Sequence, residues 1–295
     1  MKYSELADVD CAIAQALGVV GDWWTLLVVR DIAGGTTRFD DLQRELDVSR
    51  KTLTERLKAL VANGVVEKVD YSAHPPRFEY HLTEKGRGLL PVLISLQDWG
   101  TRYVTGDGSL TATTTPTSAE ARRVQGLVGK RIPEIGLWSD ENGLVDPVTE
   151  GWTVLYAFPG AFVPVGNPLP PDWADIPGAA GCTLEATTYR DRYPEFQRAG
   201  IAVRGLSTQR PDQLQAFVQH VNLPFPLLSD EDLLLTAALR LPTFRAAGVD
   251  RLKRLTMIID AERTIRAVRF PIVDPVRTVE EMRALVSHFR EVPVG

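Results

Sequence analysis

Residues 105–123, "TGDGSLTATTTPTSAEARR", contain a single large apolar side chain, Leu110. A run so poor in apolar surface cannot build a core of its own, and with Pro116 punctuating it the segment reads as a linker, a short helix expected at its end. The hydrophobic pattern differs on its two sides. Before it, apolar residues recur with helical spacing; after it, strand-like and helical segments alternate. A chain of 295 residues is long enough for two domains. The expected division is 1–104, a linker at 105–126, and 127–295, with no internal repeat.

In the first half, helices are expected over "DCAIAQALGVV", "DWWTLLVVRDIA", "RFDDLQREL" and "SRKTLTERLKALVANG", with breaks at Gly21, Gly34–Gly35 and Val48–Ser49. "VVEKVDY" and "RFEYHLT" alternate apolar and polar residues around "SAHPP", the pattern of a two-stranded wing. One more helix is expected over "EKGRGLLPVLISLQDWGTRYV". Helices, a helix–turn–helix, a wing and a helix make the order of a winged-helix DNA-binding domain. In the fourth helix Leu53, Leu57, Leu60 and Val61 are spaced to dock on a core. Ser49 is placed to cap its first turn. Arg50, Lys51, Thr52, Thr54 and Lys58 form a basic, hydroxyl-bearing surface suited to the major groove, and Lys68, His74 and Arg77 on the wing could reach phosphate. A solvated surface is the plainer reading of such a helix taken alone. Net charge does not choose between them: residues 1–104 carry 13 Lys/Arg against 15 Asp/Glu, and the whole chain is at −5.

Residues 11–100 resemble the HxlR-type winged-helix regulators. The resemblance rests on Cys11 opening the first helix, "ALGVVGDWWTLLVVRDI", "RFDDLQREL", "SRKTLTERLKALVANGVVEK" and "PPRFEYHLTEKGRGLLPVL…WG", in order. It implies a homodimer formed through the terminal helices, binding paired half-sites of a palindromic DNA operator. It also implies a role for Cys11 as a sensor of electrophiles or oxidants. The alternative for Cys11 is a small apolar residue at a dimer interface. Trp23 and Trp24 are expected in the core or in dimer packing.

In the second half, "WTVLYAF" reads as a buried strand, followed by the Pro/Gly-rich excursion "PGAFVPVGNPLPPDWADIPGAAG" and Cys182 at the start of a helix that Pro194 should kink. The "NPLPPDWADIPG" part of that excursion reads equally as a lid over Cys182 or as a surface insertion. Then come a strand ("IAVRGLST"), a helix ("PDQLQAFVQHV"), "FPLLSD", a helix ("EDLLLTAALR"), two strands ("LTMIIDA", "TIRAVRF") and a last helix ("TVEEMRALVSHFR"). The fold class is therefore an α/β thioredoxin-like sheet behind a mostly α winged helix. Unpaired amides and the helix dipole at a helix start favour thiolate over thiol. Arg254, just ahead of a strand expected to neighbour the one feeding Cys182, could stabilise that charge and donate to a peroxide oxygen. Cys11 and Cys182, 171 residues apart, make neither a disulfide framework nor a Cys-rich zinc site, and His74, His81, His220 and His288 are scattered, so no metal is expected. No signal peptide or membrane span is read, which places the chain in the reducing cytoplasm, and no cofactor motif is found.

"GCTLEATTYRDRYPEFQRAGIAVRGLSTQ", "LPFPLLSDEDLLLTAALRLPTF" and "KRLTMIID" resemble the peroxiredoxin (AhpC/TSA) superfamily, nearest its bacterioferritin-comigratory branch, over roughly residues 127–291. The resemblance implies that Cys182 is the peroxidatic cysteine and Arg254 the active-site arginine, with Thr183 and Glu185 as lesser site candidates. Its substrate would be a peroxide, and its reductant thioredoxin, glutaredoxin or a low-molecular-weight thiol. The chain departs from that pattern where Ala179 replaces the usual Thr or Ser, Thr187 replaces a resolving cysteine, and position 175 is Asp, the nearby prolines being Pro171 and Pro177. Three functions remain open on these residues: a redox-responsive regulator, a one-cysteine peroxidase with a dimerising winged helix, and a degenerate ligand-binding module.

Overall fold

The computed structural model describes residues 10–73, 76–141 and 143–291. His74 lies outside the described residues. Contacts divide the chain into two compact units, Met1–Leu93 and Ile94–Gly295.

The first unit runs α1 (Ala12–Val20), α2 (Trp23–Ala33), α3 (Phe39–Leu46), α4 (Arg50–Ala62), the antiparallel pair β1 (Val66–Ala73) and β2 (Pro76–Leu82), and α5 (Glu84–Arg87). Three short polar side chains start helices, Ser49 as expected and Asp22 and Thr83 in addition. Asp22 accepts from Trp24 N at 3.0 Å, Ser49 from Thr52 N at 3.1 Å, and Thr83 from Gly86 N at 3.1 Å. Leu53, Leu57 and Leu60 are buried with Val28, Val29 and Leu42. Val61, expected among them, is exposed: 8 residues beyond Leu53 it has rotated by about 80° around the helix. Trp23 is not a core residue either; it is 62% exposed and stacks on Trp24 with ring centres 4.1 Å apart.

The single helix expected over 84–104 is instead broken. α5 stops at Gly88, α6 (Leu90–Trp99) crosses the boundary between the units, and a widened turn covers Gly100–Val104. The break lies beside a tight approach at Gly86, where a Cβ would fall 2.2 Å from Val65 O. This explains a glycine inside "TEKGR". Gly86→Ala should force the backbone apart and destabilise the first unit by about 1–3 kcal/mol, as at other overpacked sites, which a urea titration reads as a lower midpoint.

The second unit contains α7 (Ala119–Gln125), β3 (Leu137–Ser139), β4 (Leu144–Val145), β5 (Trp152–Ala157), α8 (Cys182–Arg198), β6 (Ile201–Ser207), α9 (Pro211–Val221), β7 (Leu227–Ser229), α10 (Leu234–Leu239), β8 (Thr243–Ala246), β9 (Val249–Leu252), β10 (Leu255–Ile259), β11 (Ile265–Arg269) and α11 (Pro275–Glu291). Seven strands form one sheet in the order β11-β10-β5-β6-β7-β3-β4. β5, β6 and β7 are parallel; β10 runs antiparallel to β5 and to β11. A β5–α8–β6 crossover beside a β10–β11 hairpin followed by α11 is the thioredoxin arrangement. β5 is covered on both faces, so its residues are apolar apart from the buried Thr153. Val154 and Tyr156 join the core under α8, α9 and α11, while Leu155 and Ala157 face Met257, Ile259, Leu235 and Val124. α8 continues through Pro194 to Arg198.

The Thr-rich run expected as a linker is packed into this unit. Ala112 N donates to Pro177 O at 2.8 Å, and Gly178 lies so close to Thr113 that a Cβ would meet its side chain at 2.7 Å. Ala121 and Val124 of α7 are buried, and Glu120 makes a buried ion pair with Lys253 at 2.8 Å. The run satisfies its backbone against a neighbouring loop instead of burying large side chains, a route that composition does not reveal.

Candidate functional site

Cys182 sits where β5 hands over to α8. After Ala157 the chain makes the long excursion, then turns through Gly178 and Gly181, both left-handed with φ of 82° and 103°. Such values favour glycine. Gly181 is the residue before the helix and Cys182 its first residue. Its sulfur is buried, 5% exposed, yet it is not sealed in hydrocarbon. Arg254, immediately ahead of β10, donates from Nη2 to Sγ at 3.2 Å and to Ala180 O at 3.0 Å. The pairing of Leu255 with Ala157 brings these two loops together.

Glu185 completes the arrangement. One turn into α8 and wholly buried, its Oε2 accepts from Arg254 Nη1. Burial pushes the Glu185 carboxyl up to about 7 against the pull of Arg254. Burial also works against the Arg254 charge, but Glu185 and Cys182 outweigh it and hold the guanidinium above its ordinary range. Thr183 is exposed at the rim of a cavity of about 410 Å³ that reaches Cys182 past Phe162, Leu169, Trp173 and Ala179. Ala179, at the position of the usual hydroxyl, is fully buried, and its carbonyl lies 3.6 Å from Sγ as an acceptor. Thr187 bonds back to Thr183 O, within its own helix. The excursion is both candidate lid and packed element: Trp173 is buried against Phe162 and Phe244.

On the winged helix, Ser49 and Thr52 are tied to each other at the start of α4, and Thr54 donates to Arg50 O at 2.7 Å. Arg50 is exposed but turned toward α3, 3.3 Å from Asp40 and over the Phe39 ring. Lys51 and Lys58 are exposed and carry no ion pair among the described residues. Arg77 is exposed on β2, and Lys68 lies over the Phe78 ring. Cys11, exposed, precedes α1. Among the described residues no group of three or more His, Cys, Asp or Glu side chains could hold a metal. No single described helix is long and apolar enough to cross a membrane.

Residues 19–107 match the HxlR-like helix-turn-helix family. An HTH-type transcriptional regulator of Halalkalibacterium halodurans is 35% identical over 95 residues, 32% of this chain and 84% of that protein. The chain belongs to the HxlR-like helix-turn-helix family. A Mycobacterium tuberculosis HTH-type regulator is 43% identical over 93 residues, 32% of this chain; the match spans about three fifths (59%) of that relative's length. Behind its HxlR-like part the chain carries an AhpC/TSA domain, matched over residues 176–268. Peroxidoxin BcpB of Mycobacterium tuberculosis aligns at 22% identity and a TM-score of 0.46, covering 55% of this chain and 96% of that one. The bacterioferritin comigratory protein of Xanthomonas campestris aligns at 19% and 0.42, covering 52% and 90%.

Two groups near the sulfur escape a reading of the sequence. Tyr156 and Tyr189 stack 4.6 Å apart beneath the ion pair, and Arg251 lies beside Phe162 and Trp173. The only signal for the latter is a second arginine in "DRLKR". In this HxlR-like chain the Glu185 proton has a stability consequence. A carboxyl raised from 4.5 to about 7 binds its proton more tightly folded than unfolded. Its contribution is complete below pH 4.5 and is lost as pH rises through about 7, worth at most about 3 kcal/mol. Glu185→Gln should therefore flatten the fall in urea midpoint of the second unit between about pH 5 and pH 8.

Proposed function

We propose that the chain is a redox-responsive DNA-binding regulator in which Cys182 receives the oxidant. The observation that carries this reading is the Arg254 guanidinium 3.2 Å from Sγ at the end of a cavity. An N–H donor in a buried site stabilises negative charge on sulfur. The thiolate attacks the distal oxygen of a hydroperoxide: the S–O bond forms, the O–O bond breaks, and sulfur leaves as sulfenic acid. The departing alkoxide or hydroxide takes a proton from water. Arg254 is positioned to donate to the oxygen that gains charge. Without a hydroxyl at Ala179 one contact to the peroxide is missing, a loss of about 10²–10³ in rate for comparable donors, which suits a sensor better than a scavenger.

The sulfenic acid then condenses with a thiol, releasing water as the S–S bond forms. That thiol is Cys11, of the same or a second copy, or one from thioredoxin or a low-molecular-weight thiol. Exposed Ile13, Leu17 and Trp23 on α1 and α2 fit a homodimer contact. A change in dimer geometry shifts the spacing of the two α4 helices and so the affinity for a palindromic operator. The setting is a reducing cytoplasm.

Two measurements test this. On double-stranded DNA selected from a random library by the reduced protein, peroxide treatment should change the Kd by about tenfold, within the usual range of allosteric coupling, and Cys182→Ser should abolish that change. Unchanged affinity in the wild type rejects regulation through Cys182. Independently, Lys58→Ala should lower the slope of log K against log salt by about 1, as expected for one lost phosphate contact. The runner-up is a one-cysteine peroxidase, favoured by a charge network confined to the second unit. Sustained peroxide consumption with added thiol and no change in DNA affinity would select it.

A further inference from the structure

Arg251 is 6% exposed on β9, and no carboxylate is paired with it among the described residues. Nε donates to Ala246 O and Nη1 to Pro159 O, both at 3.3 Å. Its guanidinium lies 5.0 Å from the Trp173 ring centre and 5.5 Å from that of Phe162, while the two rings meet edge to face at 4.9 Å. Gly160 makes room: a Cβ there would lie 2.9 Å from Phe162 and 3.0 Å from Arg251 Nη1. One side chain thus holds two points of the excursion, Pro159–Phe162 and Trp173, against the β8–β9 hairpin.

Those same two rings line the cavity over Cys182, with Val163, Pro168 and Leu169 continuing its apolar wall. Removing a buried cation from water is costly, and among the described residues ring faces and two carbonyls compensate Arg251. Burial pulls its pKa down, and Cys182 acts in the opposite direction.

We propose that Arg251 is a positioning residue: it clamps Phe162 and Trp173 into an apolar wall that packs against the carbon portion of an organic hydroperoxide, so that this class is preferred over hydrogen peroxide. The proposal rests on Cys182 being the peroxide-reactive thiol. It names a residue that does not touch the reacting oxygens, in contrast to Arg254.

The test is single-turnover oxidation of Cys182 in the full chain, comparing cumene hydroperoxide with hydrogen peroxide. Arg251→Met should lower the cumene-to-hydrogen peroxide rate ratio by about tenfold, the scale of lost apolar contact in a binding site, while the hydrogen peroxide rate itself changes less than about threefold. Arg251→Lys, which keeps a cation between the rings, should recover much of the ratio. Leu169→Glu, at an exposed position of the same wall, should reproduce the loss without disturbing the clamp. An unchanged ratio in a folded Arg251→Met protein overturns the proposal. Equal slowing with both oxidants also overturns it. If Arg251→Met fails to fold, an unchanged ratio in Leu169→Glu does the same. A wild-type Cys182 inert to both peroxides refutes the underlying reading of the thiol instead.

Discussion

A single guanidinium organises the second unit. Arg254 has three acceptors, the sulfur of Cys182, the carboxyl of Glu185 and the carbonyl of Ala180, and each is supplied by a different constraint. The sulfur is at the first position of α8. The carboxyl is three residues on, where helical geometry returns a side chain to the same face. The carbonyl belongs to the loop that the two left-handed glycines turn. Breaking a buried pair by removing one partner commonly costs about 3–5 kcal/mol, so sulfur, helix and loop share one fate. The strands serve this contact: β5 and β10 must pair in register for Arg254 to arrive at all.

The excursion between β5 and α8 is held by different means. Its anchors are aromatic faces, a second arginine and backbone hydrogen bonds from the Thr-rich run, with little charge pairing. Such contacts set shape more than charge. The site is thus built from two kinds of contact: Arg254 and Glu185 place charge beside the sulfur, and Arg251 packs against the two rings that line the cavity above it.

Much of this was legible in the residues. The leucine spacing of α4, the capping serine, the wing and the Cys182–Arg254 pairing follow from local patterns and a neighbouring-strand argument. What escaped depends on distant partners. β3 is two or three residues of contact with β7, some ninety positions away, and carries no periodicity of its own. The β8–β9 hairpin turns on Ala247 and Gly248, both at positive φ, without the usual Asn-Gly signal. Arg251 finds its rings only after the chain has closed. The run at 105–126 misled because low apolar content was equated with freedom, whereas backbone groups and one buried ion pair suffice to fasten it.

That fastening limits how the molecule can be divided. A fragment starting at residue 127, where composition places the second half, would discard Glu120 and Thr113. The ammonium of Lys253, next in sequence to Arg254, would then lose its carboxylate partner and a carbonyl acceptor, and Gly178 would lose the surface it leans on. Any dissected version of the thiol-bearing half has to retain the run of threonines that precedes it, because a segment that composition reads as a tether is masonry for the second unit.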